Sequence, residues 1–431
     1  MDKLILVTGA TGYIASRLIP RLLDSGYRVR CLARNPLRLK GRSWFRYVEV
    51  VQAEVLIPST LAPALEGVHT AYYFVHNMSY GHGYIRREPE GARNFASAAE
   101  GAGVEHIIYL GGLADPEGPI APHMSSRIET GNVLRQGKVP VTEFRAGVIT
   151  GSGSISFEMI RFMTELFPIV PGPLWMMNKS QPIAIQNVID YLLAALTNPN
   201  GRGGIFEIGG PDITIYGDLM LRYARIRGLK RRMLLLPGIP LWFMALGVGL
   251  MTPVPYPIAY ALIAGLANDS VVQHDGALKV FPDVKLIDFD SATEEALEKT
   301  HPTHIERVWD YGKPKSIKHE GCFIDHREVL VNAWSEKVFH AIKQWIKNSN
   351  WLTERNHAEQ QILVYGKDQV PGKKWIEWRV GQIANLTYIA QTIFFSPRGL
   401  PGFLYWYLFY PFHLLSFRGL IKSIVKRSKT Q

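Results

Sequence analysis

The residues with the clearest chemistry in this sequence form a glycine-containing turn near the N-terminus. The segment TGATGYI stands between an apolar run and a stretch with helical periodicity. Gly9 permits a tight turn after a strand, and Gly12 lets the backbone approach a pyrophosphate that would bind N–H groups at the helix start. We therefore predict a dinucleotide site. Its predicted contacts in this turn are Thr8, Gly9, Ala10, Thr11, Gly12, Tyr13 and Ile14.

The end of the second predicted strand indicates which dinucleotide binds. An NAD site places an Asp or Glu there, because a carboxylate accepts hydrogen bonds from the ribose hydroxyls. Here Arg34 and Asn35 follow the strand Arg28–Ala33, and no acid appears before Glu49. A guanidinium would pair with a 2′-phosphate through charge-assisted hydrogen bonds. The sequence therefore predicts NADP(H). Glu54 has two open interpretations, a contact with the adenine amino group or a solvated surface acid.

Strands and helices alternate through residues 1–215, and this alternation predicts how the turn is held. The predicted strands are Lys3–Val7, Arg28–Ala33, His69–Val75, Ile107–Leu110, Val141–Arg145 and Ile205–Ile208. The predicted helices are Tyr13–Leu23, Glu90–Ala102, Ser126–Arg135 and Gln186–Leu196. Such alternation is typical of βαβ units. We predict an α/β fold, a Rossmann-type doubly wound parallel sheet, with a polar glycine-rich loop at Asn77–Gly83.

The alternation stops after Gly210, and two further regions are predicted. Residues 216–312 are expected to form a mainly helical substrate or lid subdomain, and the polar stretch Pro302–His319 marks its end. Residues 313–431 are expected to form a small α+β domain that closes with a long helix from about Leu404. Its other predicted elements are the helix Ser335–Lys347 and the strands Ile324–Val331, Ile362–Tyr365, Lys374–Val380 and Thr387–Phe395.

Composition excludes several classes of site. Two cysteines cannot build a disulfide framework or a thiolate metal site, and this usage fits the cytoplasm. His76, His82 and His106 lack metal-ligand spacing, so no metal is predicted. Residues 233–267 carry no charge, but prolines leave Leu241–Thr252 as their longest unbroken run, well short of the ~20 residues that a spanning helix needs. We expect buried or interface-docking helices there.

The net charge of +11 is diffuse apart from two clusters that adjoin apolar stretches. The clusters are Arg222, Arg225, Arg227, Lys230, Arg231 and Arg232, then Arg418, Lys422, Lys426, Arg427 and Lys429. They are either solvated helix faces with a solubilising tail, or contacts for anionic lipid headgroups at the inner face of the membrane. Nucleic acid is not predicted, because no recognised module accompanies the charge.

A set of segments carries a family resemblance. They are TGATGYI, ARNP, YYFVHNM at Tyr72–Met78, IIYLGGL at Ile107–Leu113, SSRIETG at Ser125–Gly131 and IGGPD at Ile208–Asp212. Over roughly the first 310 residues the chain resembles an atypical short-chain dehydrogenase/reductase, of the branch that holds NmrA-like proteins and an accessory subunit of respiratory complex I. The resemblance implies NADP(H) contacts at Val75 and His76.

The C-terminal part resembles a second family. PGKKWIEW and SPRGLPGFLYWYLFYPFH are similar to the helix-grip (START or polyketide-cyclase-like) domain that follows such Rossmann domains in bacteria. In this chain that domain is expected to be shortened between Asn348 and Lys373, with several cavity-forming strands absent.

The first resemblance also implies where catalysis would occur. The family uses a Ser, a Tyr and a Lys, the last two as Tyr-x-x-x-Lys, and the matching pentad here is HMSSR, from His123 to Arg127. His123 would exchange protons near neutral pH, and Arg127 would hold the nicotinamide ribose. Gly111 or Gly112 stands where the family has its serine.

Two functions are compatible with the sequence. One is a reductase or epimerase-like enzyme for a small apolar substrate such as a quinone, bound between the carboxyl edge of the sheet and the apolar 233–267 region. The other is a non-catalytic protein that senses NADP(H) or supports an assembly. They differ at His123, because an enzyme needs a proton donor there whereas a sensor needs only the nucleotide.

Overall fold

The computed structural model describes residues 3–40, 42–76, 84–114, 120–252, 254–304, 316–319, 321–357, 361–367, 369–383 and 386–430. The chain divides into two compact units. The first comprises mainly Met1–Met163 and Ile169–Glu298, and the second mainly Tyr311–Gln431. The predicted loop Asn77–Gly83 and most of the predicted boundary stretch Pro302–His319 lie outside the described residues.

The elements of the first unit alternate along the chain. Its strands are β1 (Leu4–Val7), β2 (Arg28–Ala33), β3 (Glu49–Gln52), β4 (Thr70–Tyr73), β5 (His106–Gly112), β6 (Val141–Ala146), β7 (Ile149–Thr150), β8 (Ile169–Gly172), β9 (Lys179–Ser180), β10 (Ile183–Ala184), β11 (Ile205–Ile208), β12 (Thr214–Ile215) and β13 (Arg232–Leu235). Its α-helices are α1 (Tyr13–Asp24), α2 (Leu61–Leu65), α3 (Tyr84–Gly101), α4 (Pro122–Arg135), α5 (Ile155–Leu166), α6 (Ile185–Thr197), α7 (Tyr216–Ile226), α8 (Leu241–Met251), α9 (Tyr256–Gly265), α10 (Gly276–Val280) and α11 (Phe289–Glu298).

Seven strands form one parallel sheet in the order β3-β2-β1-β4-β5-β6-β11. All residues of β1 and β4 are buried, as expected for strands that are covered by helices on both faces. The strand order reverses between β1 and β4, so their carboxyl ends open the crevice where doubly wound sheets bind ligands. The predicted Rossmann-type fold is confirmed.

The apolar 233–267 region contains the two helices α8 and α9 of the first unit. Helix α8 buries Ala245 and Val248, whereas Trp242 and Leu250 on its other side are more than half exposed. Among the described residues, no helix is both long and apolar enough to cross a membrane. The residues of the predicted 216–312 subdomain that precede Lys299 belong to the first unit. The boundaries of that subdomain stay a prediction.

The second unit is a six-stranded antiparallel sheet with helices. Its strands are β14 (Ser316–His319), β15 (Cys322–Val331), β16 (Trp351–His357), β17 (Gln361–Gly366), β18 (Gly372–Ile383) and β19 (Leu386–Pro397), in the order β14-β15-β19-β18-β17-β16. Its helices are α12 (Ser335–Lys347), α13 (Gly399–Leu408) and α14 (Tyr410–Thr430). The Trp378 indole donates to Gln391, whose amide donates to the Phe417 carbonyl oxygen at 3.0 Å, so the sheet is tied to α14.

Two elements of the second unit differ from the sequence prediction. Between Asn348 and Lys373, β17 corresponds to the strand predicted at Ile362–Tyr365, whereas the sequence predicts no strand at the position of β16. The predicted long C-terminal helix is two helices, α13 and α14. Pro411 stands at the start of α14, where a missing backbone N–H costs little because the first turn has no intrahelical acceptor.

The burial of His106 on β5 predicts a pH-dependent stability. Thr142 donates its hydroxyl hydrogen to the Gly201 carbonyl oxygen at 2.7 Å, so the His106 Nε2–H donates to Thr142 at 2.8 Å. Burial, then the charge of Arg202, lowers the pKa of His106 to about 4. The unfolded state therefore takes up a proton below pH ~6.5 that the folded state does not, and stability falls as the pH decreases.

We expect His106 to contribute a loss of about 1.5 kcal/mol in the free energy of unfolding between pH 6.5 and 5. The measurement is urea unfolding at both pH values, on the full chain and on His106→Gln, whose side-chain amide still donates to Thr142. The variant should lose less stability than the parent over this interval. An identical loss in both proteins would mean that His106 does not contribute.

Candidate functional site

The glycine turn joins β1 to α1 at the centre of the sheet. Gly9 has a φ of 61°, and a Cβ at this position would lie 2.6 Å from the carbonyl oxygen of Phe74. Only glycine accepts both constraints at once. The Gly12 amide donates to the Gly9 carbonyl oxygen at 2.7 Å, and the Phe74 amide donates to the Thr8 hydroxyl at 2.8 Å. The turn is thereby fixed against the chain that follows β4.

The start of α1 is suited to binding an anion. Gly12 is the N-cap residue and supplies no side-chain cap, and the first turn contains no acidic residue. The first N–H groups of a helix have no intrahelical acceptor and lie at the positive end of the helix dipole. Ala10 and Ala15 are buried beside this turn. These features fit the pyrophosphate of a dinucleotide.

Arg34 and Asn35 directly follow β2 at the same edge of the sheet. The Arg34 side chain is 51% exposed, and its Nη1 lies 4.0 Å from Glu54 Oε1. An exposed pair at that separation contributes little stability, so a phosphate would compete well for the guanidinium. The Asn35 carboxamide oxygen accepts from the Leu37 amide at 3.1 Å and caps a short 3-10 helix, Pro36–Leu39. In this structure Asn35 shapes the chain and Glu54 lies beside Arg34.

A second arginine, outside the predicted contacts, reaches the glycine turn. Arg42 is 7% exposed, and its Nη2 donates to the Thr11 carbonyl oxygen at 3.4 Å. The contact links positions 31 residues apart along the chain. No motif or periodicity in the sequence connects these two positions, so this contact could be found only in the folded chain.

Helix α4 carries the pentad that matches Tyr-x-x-x-Lys, and it packs beside the end of β5. A Cβ on Gly112 would lie 2.7 Å from Met124 Cε and 3.1 Å from Arg127 Cδ. The Met124 thioether therefore occupies the space into which a serine at position 112 would project. A side chain larger than glycine at position 112 would have to displace Met124.

The Arg127 guanidinium is held by a short chain of hydrogen bonds. Its Nε–H donates to His76 Nε2 at 2.8 Å, so the His76 proton is on Nδ1 and is donated to Glu88 Oε1 at 2.6 Å. The Ser126 hydroxyl donates to Glu88 Oε2 at 2.6 Å. Glu88 is buried, so its carboxylate is fixed by these partners. Predicted site residues His76 and Arg127 are thus brought together, and Val75 precedes them on the chain.

The surroundings of Arg127 leave part of its side chain accessible to a ligand. Burial, then the nearby charge of Arg127, lowers the pKa of His76, whereas its hydrogen bond to Glu88 raises it. His76 is therefore a neutral acceptor that does not compete with the guanidinium for positive charge. The Nη groups of Arg127 make no hydrogen bond to any residue that the structure describes, and its side chain is partly exposed. It can therefore donate to a ligand.

His123 lies deeper than its predicted role requires. It is 4% exposed, and a Cβ on Gly265 of α9 would lie 2.6 Å from its ring. Its Nδ1 has no hydrogen-bond partner among the described residues. Burial, then the charge of Arg127, lowers the pKa of His123 to about 3. A neutral, enclosed imidazole does not fit the predicted proton donor, which needs a pKa near neutrality.

Glu88 is the site residue that sequence reasoning missed. The prediction began the helix at Glu90, whereas α3 begins at Tyr84 and includes Glu88 in its second turn. A helix that begins at Glu90 leaves Glu88, two residues earlier, in a loop. There its carboxylate would be interpreted as a solvated surface acid. The available signal was a carboxylate three residues before Gly91, whose missing side chain lets α3 pack against Val55 and Tyr73.

No group of three or more His, Cys, Asp or Glu side chains within the described part of the chain could hold a metal ion.

Two family models match the chain. The NmrA-like family model matches residues 1–192, and a family described as a protein of unknown function (DUF2867) matches residues 357–420. A (4-alkanoyl-5-oxo-2,5-dihydrofuran-3-yl)methyl phosphate reductase from Streptomyces griseus is 30% identical over 275 residues, which are 60% of this chain and 85% of that protein. A photosystem II assembly factor, Ycf39, from Cyanophora paradoxa is 24% identical over 54% of this chain and 71% of its own length.

Solved structures agree on the fold of the first unit. Citrobacter sp. triphenylmethane reductase complexed with NADP(H) superposes with a TM-score of 0.56 at 18% identity, over 68% of this chain and 99% of the other. The NADPH-dependent quinone oxidoreductase from Escherichia coli, complexed with NADPH, gives 0.55 at 16% identity over the same shares. With the glycine turn, the sheet order and the Streptomyces relative, these findings identify the chain as a member of the NmrA-like family of atypical short-chain dehydrogenases/reductases.

Proposed function

We propose that this chain binds NADP(H) and reduces a small apolar acceptor of the carbonyl or quinone type. The glycine turn and the start of α1 would hold the pyrophosphate, Arg34 the 2′-phosphate, and Arg127 the nicotinamide ribose. The bound cofactor would supply a hydride. The observation that carries the proposal is the Arg127 guanidinium, which His76 and Glu88 hold beside Gly112 with its Nη groups without hydrogen bonds among the described residues.

The charge of Arg127 favours a particular class of acceptor. A guanidinium stays protonated and cannot act as a general acid, but it stabilises negative charge on an oxygen that gains electrons. His123 adds no proton, because its pKa is lowered to about 3. We therefore propose quinones and conjugated enones, whose reduced oxygen spreads its charge over the conjugated system and takes its proton from water. An isolated ketone gives a localised alkoxide and depends far more on an acid.

The experiment is a steady-state assay of NADPH oxidation at pH 7 with matched acceptors. We expect turnover with benzoquinones and cyclic enones, and values of kcat/KM about 100-fold lower with saturated ketones of the same size, since a general acid typically contributes 10²–10⁴-fold. Values of kcat/KM for saturated ketones equal to those for quinones would contradict the proposed class of acceptor. The result would then require a general acid for the reduction of saturated ketones.

Cofactor choice is tested separately. We expect NADPH to bind at least ~10-fold more tightly than NADH, a difference of about 1.4 kcal/mol. Arg34→Ala should remove most of this gap by weakening NADPH alone, because the two cofactors differ only in the 2′-phosphate. The matched control is Arg93→Ala, which removes another exposed arginine, on α3. Equal affinities for the two cofactors in the unmodified protein would refute the role given to Arg34.

A second candidate function is non-catalytic binding of NADP(H), as a sensor or in support of an assembly. Its specific support is the replacement of the family's Ser by Gly111 or Gly112, of its Tyr by His123 and of its Lys by Arg127. The similarity to Ycf39, a photosystem II assembly factor, supports it further. Tight NADPH binding with no oxidation by any quinone, enone or aldehyde would favour this function over the reductase.

We also propose a helix-grip-like architecture for the region 313–431, with a Rossmann region at 1–215 and a helical subdomain at 216–312. The support is the antiparallel sheet that packs on α12 and α14, together with the family match at residues 357–420. The proposed location is the cytoplasm, peripheral to the inner face of the membrane.

A further inference from the structure

We infer that the second unit docks on an anionic lipid surface through the outer side of α13 and α14. This inference does not depend on the reductase proposal, because it concerns a different unit and different residues. The surface is called the C-terminal ridge. Its apolar part is Leu408, Phe409, Phe412 and Leu415, and its cations are Arg418 and Lys422.

Helix α14 separates a buried side from an exposed one. His413, Phe417, Ile421 and Ile424 are buried at spacings of three and four residues, so one side of the helix packs against the unit. Leu415, Lys422 and Lys426 lie on the opposite side at helical spacing and are exposed. The exposed side runs from apolar residues at the start of the helix to cations towards its end.

The apolar part of the ridge is unusually open to solvent. Leu408, Phe412 and Leu415 are 68%, 69% and 66% exposed, and Phe409 is 49% exposed. A contiguous group of this kind is typical of an interaction surface rather than of an ordinary protein exterior. Each of these side chains would leave water if the ridge met an apolar partner.

The charge on the ridge identifies the partner as anionic. Residues 399–430 contain five cations and no acid. Arg418, Lys422, Arg427 and Lys429 form no ion pair with any residue that the structure describes. Two copies of the chain joined by this ridge would bring like charges together. An anionic partner would neutralise them instead.

The combination of aromatic and aliphatic residues with neighbouring cations is typical of helices that lie in a bilayer interface. Aromatic side chains suit the boundary between headgroups and acyl chains, and cations reach the anionic headgroups. Because none of the described helices could cross a membrane, the ridge would lie on the surface. An acidic protein would present discrete carboxylates, whereas a bilayer accepts four apolar side chains without requiring complementary pockets.

The first unit carries a separate surface of the same composition. Trp242, Phe243 and Leu250 on α8 are 55%, 56% and 71% exposed. Arg225, Lys230 and Arg232 are exposed nearby in the sequence and form no ion pair within the described residues. This surface supplies an independent variant for the test and is not required for the ridge to bind.

The experiment uses the full chain and sedimented vesicles of phosphatidylcholine, with and without about one third phosphatidylglycerol. We expect binding to the anionic vesicles at low salt, and at least tenfold weaker binding both to neutral vesicles and at high salt. Phe412→Ser with Leu415→Ser should abolish binding. Arg418→Gln with Lys422→Gln should weaken it by about fivefold per cation.

Matched controls remove similar groups elsewhere in the second unit. Leu330→Ser removes an exposed leucine on β15, and Lys337→Gln with Lys347→Gln removes two exposed lysines on α12. Both should bind vesicles like the parent. Circular dichroism and NADPH binding should be the same in all variants, since the altered side chains are exposed. Loss of binding in the Trp242→Ser variant but not in the ridge variants would overturn the assignment to the ridge.

Two further outcomes would overturn the inference. One is equal binding to neutral and anionic vesicles, or none to either. The other is a dimer, detected by light scattering, that disappears with Phe412→Ser and Leu415→Ser, because the ridge would then be an interface between copies of this chain. Failure of either kind leaves the reductase proposal intact, since acceptor turnover is measured without lipid.

Discussion

Replacing Arg127 with glutamine is expected to lower kcat with a quinone acceptor by about 10²–10³-fold, the usual effect of removing one group that stabilises developing negative charge. Glutamine retains a side-chain amide that can bond to His76 Nε2, so the change removes mainly the positive charge. Steady-state NADPH oxidation gives kcat, and titration of NADPH fluorescence gives the affinity of the cofactor. We expect that affinity to change by less than about tenfold, because the pyrophosphate and the 2′-phosphate are held elsewhere.

The companion variants separate charge from proton transfer. Arg127→Lys keeps a cation but loses the planar guanidinium, whose separate groups let Nε–H bond to His76 while the Nη groups bond to a ligand, so it should restore activity only in part. His123→Gln should stay within about tenfold of the parent, because the pKa of His123 is lowered to about 3 and its ring is enclosed.

The pH profile distinguishes the two mechanisms without any variant. A guanidinium group keeps its positive charge throughout this range, so a mechanism that depends on that charge predicts a nearly constant kcat between pH 6 and 8. A fall in kcat on the alkaline side of a pKa near 6.5, abolished by His123→Gln, would return His123 to the role of acid. Full activity of Arg127→Gln would remove Arg127 from the reaction.

The central sheet could be predicted because its strands leave a strong local signal. β2 and β11 have the bounds that the sequence predicted, and the helix predicted at Ser335–Lys347 is α12. In each case a run of apolar residues with a single period is closed by a turn residue. β3 was missed because Glu49–Gln52 includes two polar residues and is only partly buried at the edge of the sheet.

The catalytic end of the site could be predicted only in part. The resemblance indicated His123 and Arg127, but not that one is buried and the other is oriented by neighbours. The enclosure of His123 depends on Gly265, which is 142 residues away in sequence and lies in α9. The orientation of Arg127 depends on Glu88 through His76, and Glu88 lies before the residue at which the sequence predicts this helix to begin. Contacts between distant elements of this kind leave no periodic signal in one sequence.

The sequence does not show which side of an apolar helix is buried and which is exposed. An apolar stretch such as Leu241–Thr252 is compatible with a buried helix and with a docking helix, because composition alone does not say which side is covered. In the folded chain α8 has one buried side and one exposed side, since Ala245 is buried and Leu250 is 71% exposed. The distinction depends on the packing of α8 against α9, which only the structure provides.

Replacing Gly9 with alanine is expected to destabilise the first unit by about 3 kcal/mol and to weaken NADPH binding by about 100-fold. The left-handed backbone at a φ of 61° would cost an alanine about 1–2 kcal/mol. Its Cβ would also lie 2.6 Å from the Phe74 carbonyl oxygen, a backbone atom that cannot move without shifting the end of β4. Relief of this contact would displace the turn that holds the pyrophosphate, and a loss of about 2.7 kcal/mol in binding corresponds to 100-fold.

Gly26 provides the matched control for this prediction. It has a φ of 79°, and a Cβ there would meet nothing within 4 Å. Gly26→Ala should therefore show only the conformational cost, about 1–2 kcal/mol, with unchanged affinity for NADPH. Urea unfolding and NADPH titration of both variants isolate the contribution of the contact with Phe74. If Gly9→Ala bound NADPH as tightly as Gly26→Ala, the glycine turn would not be the pyrophosphate site.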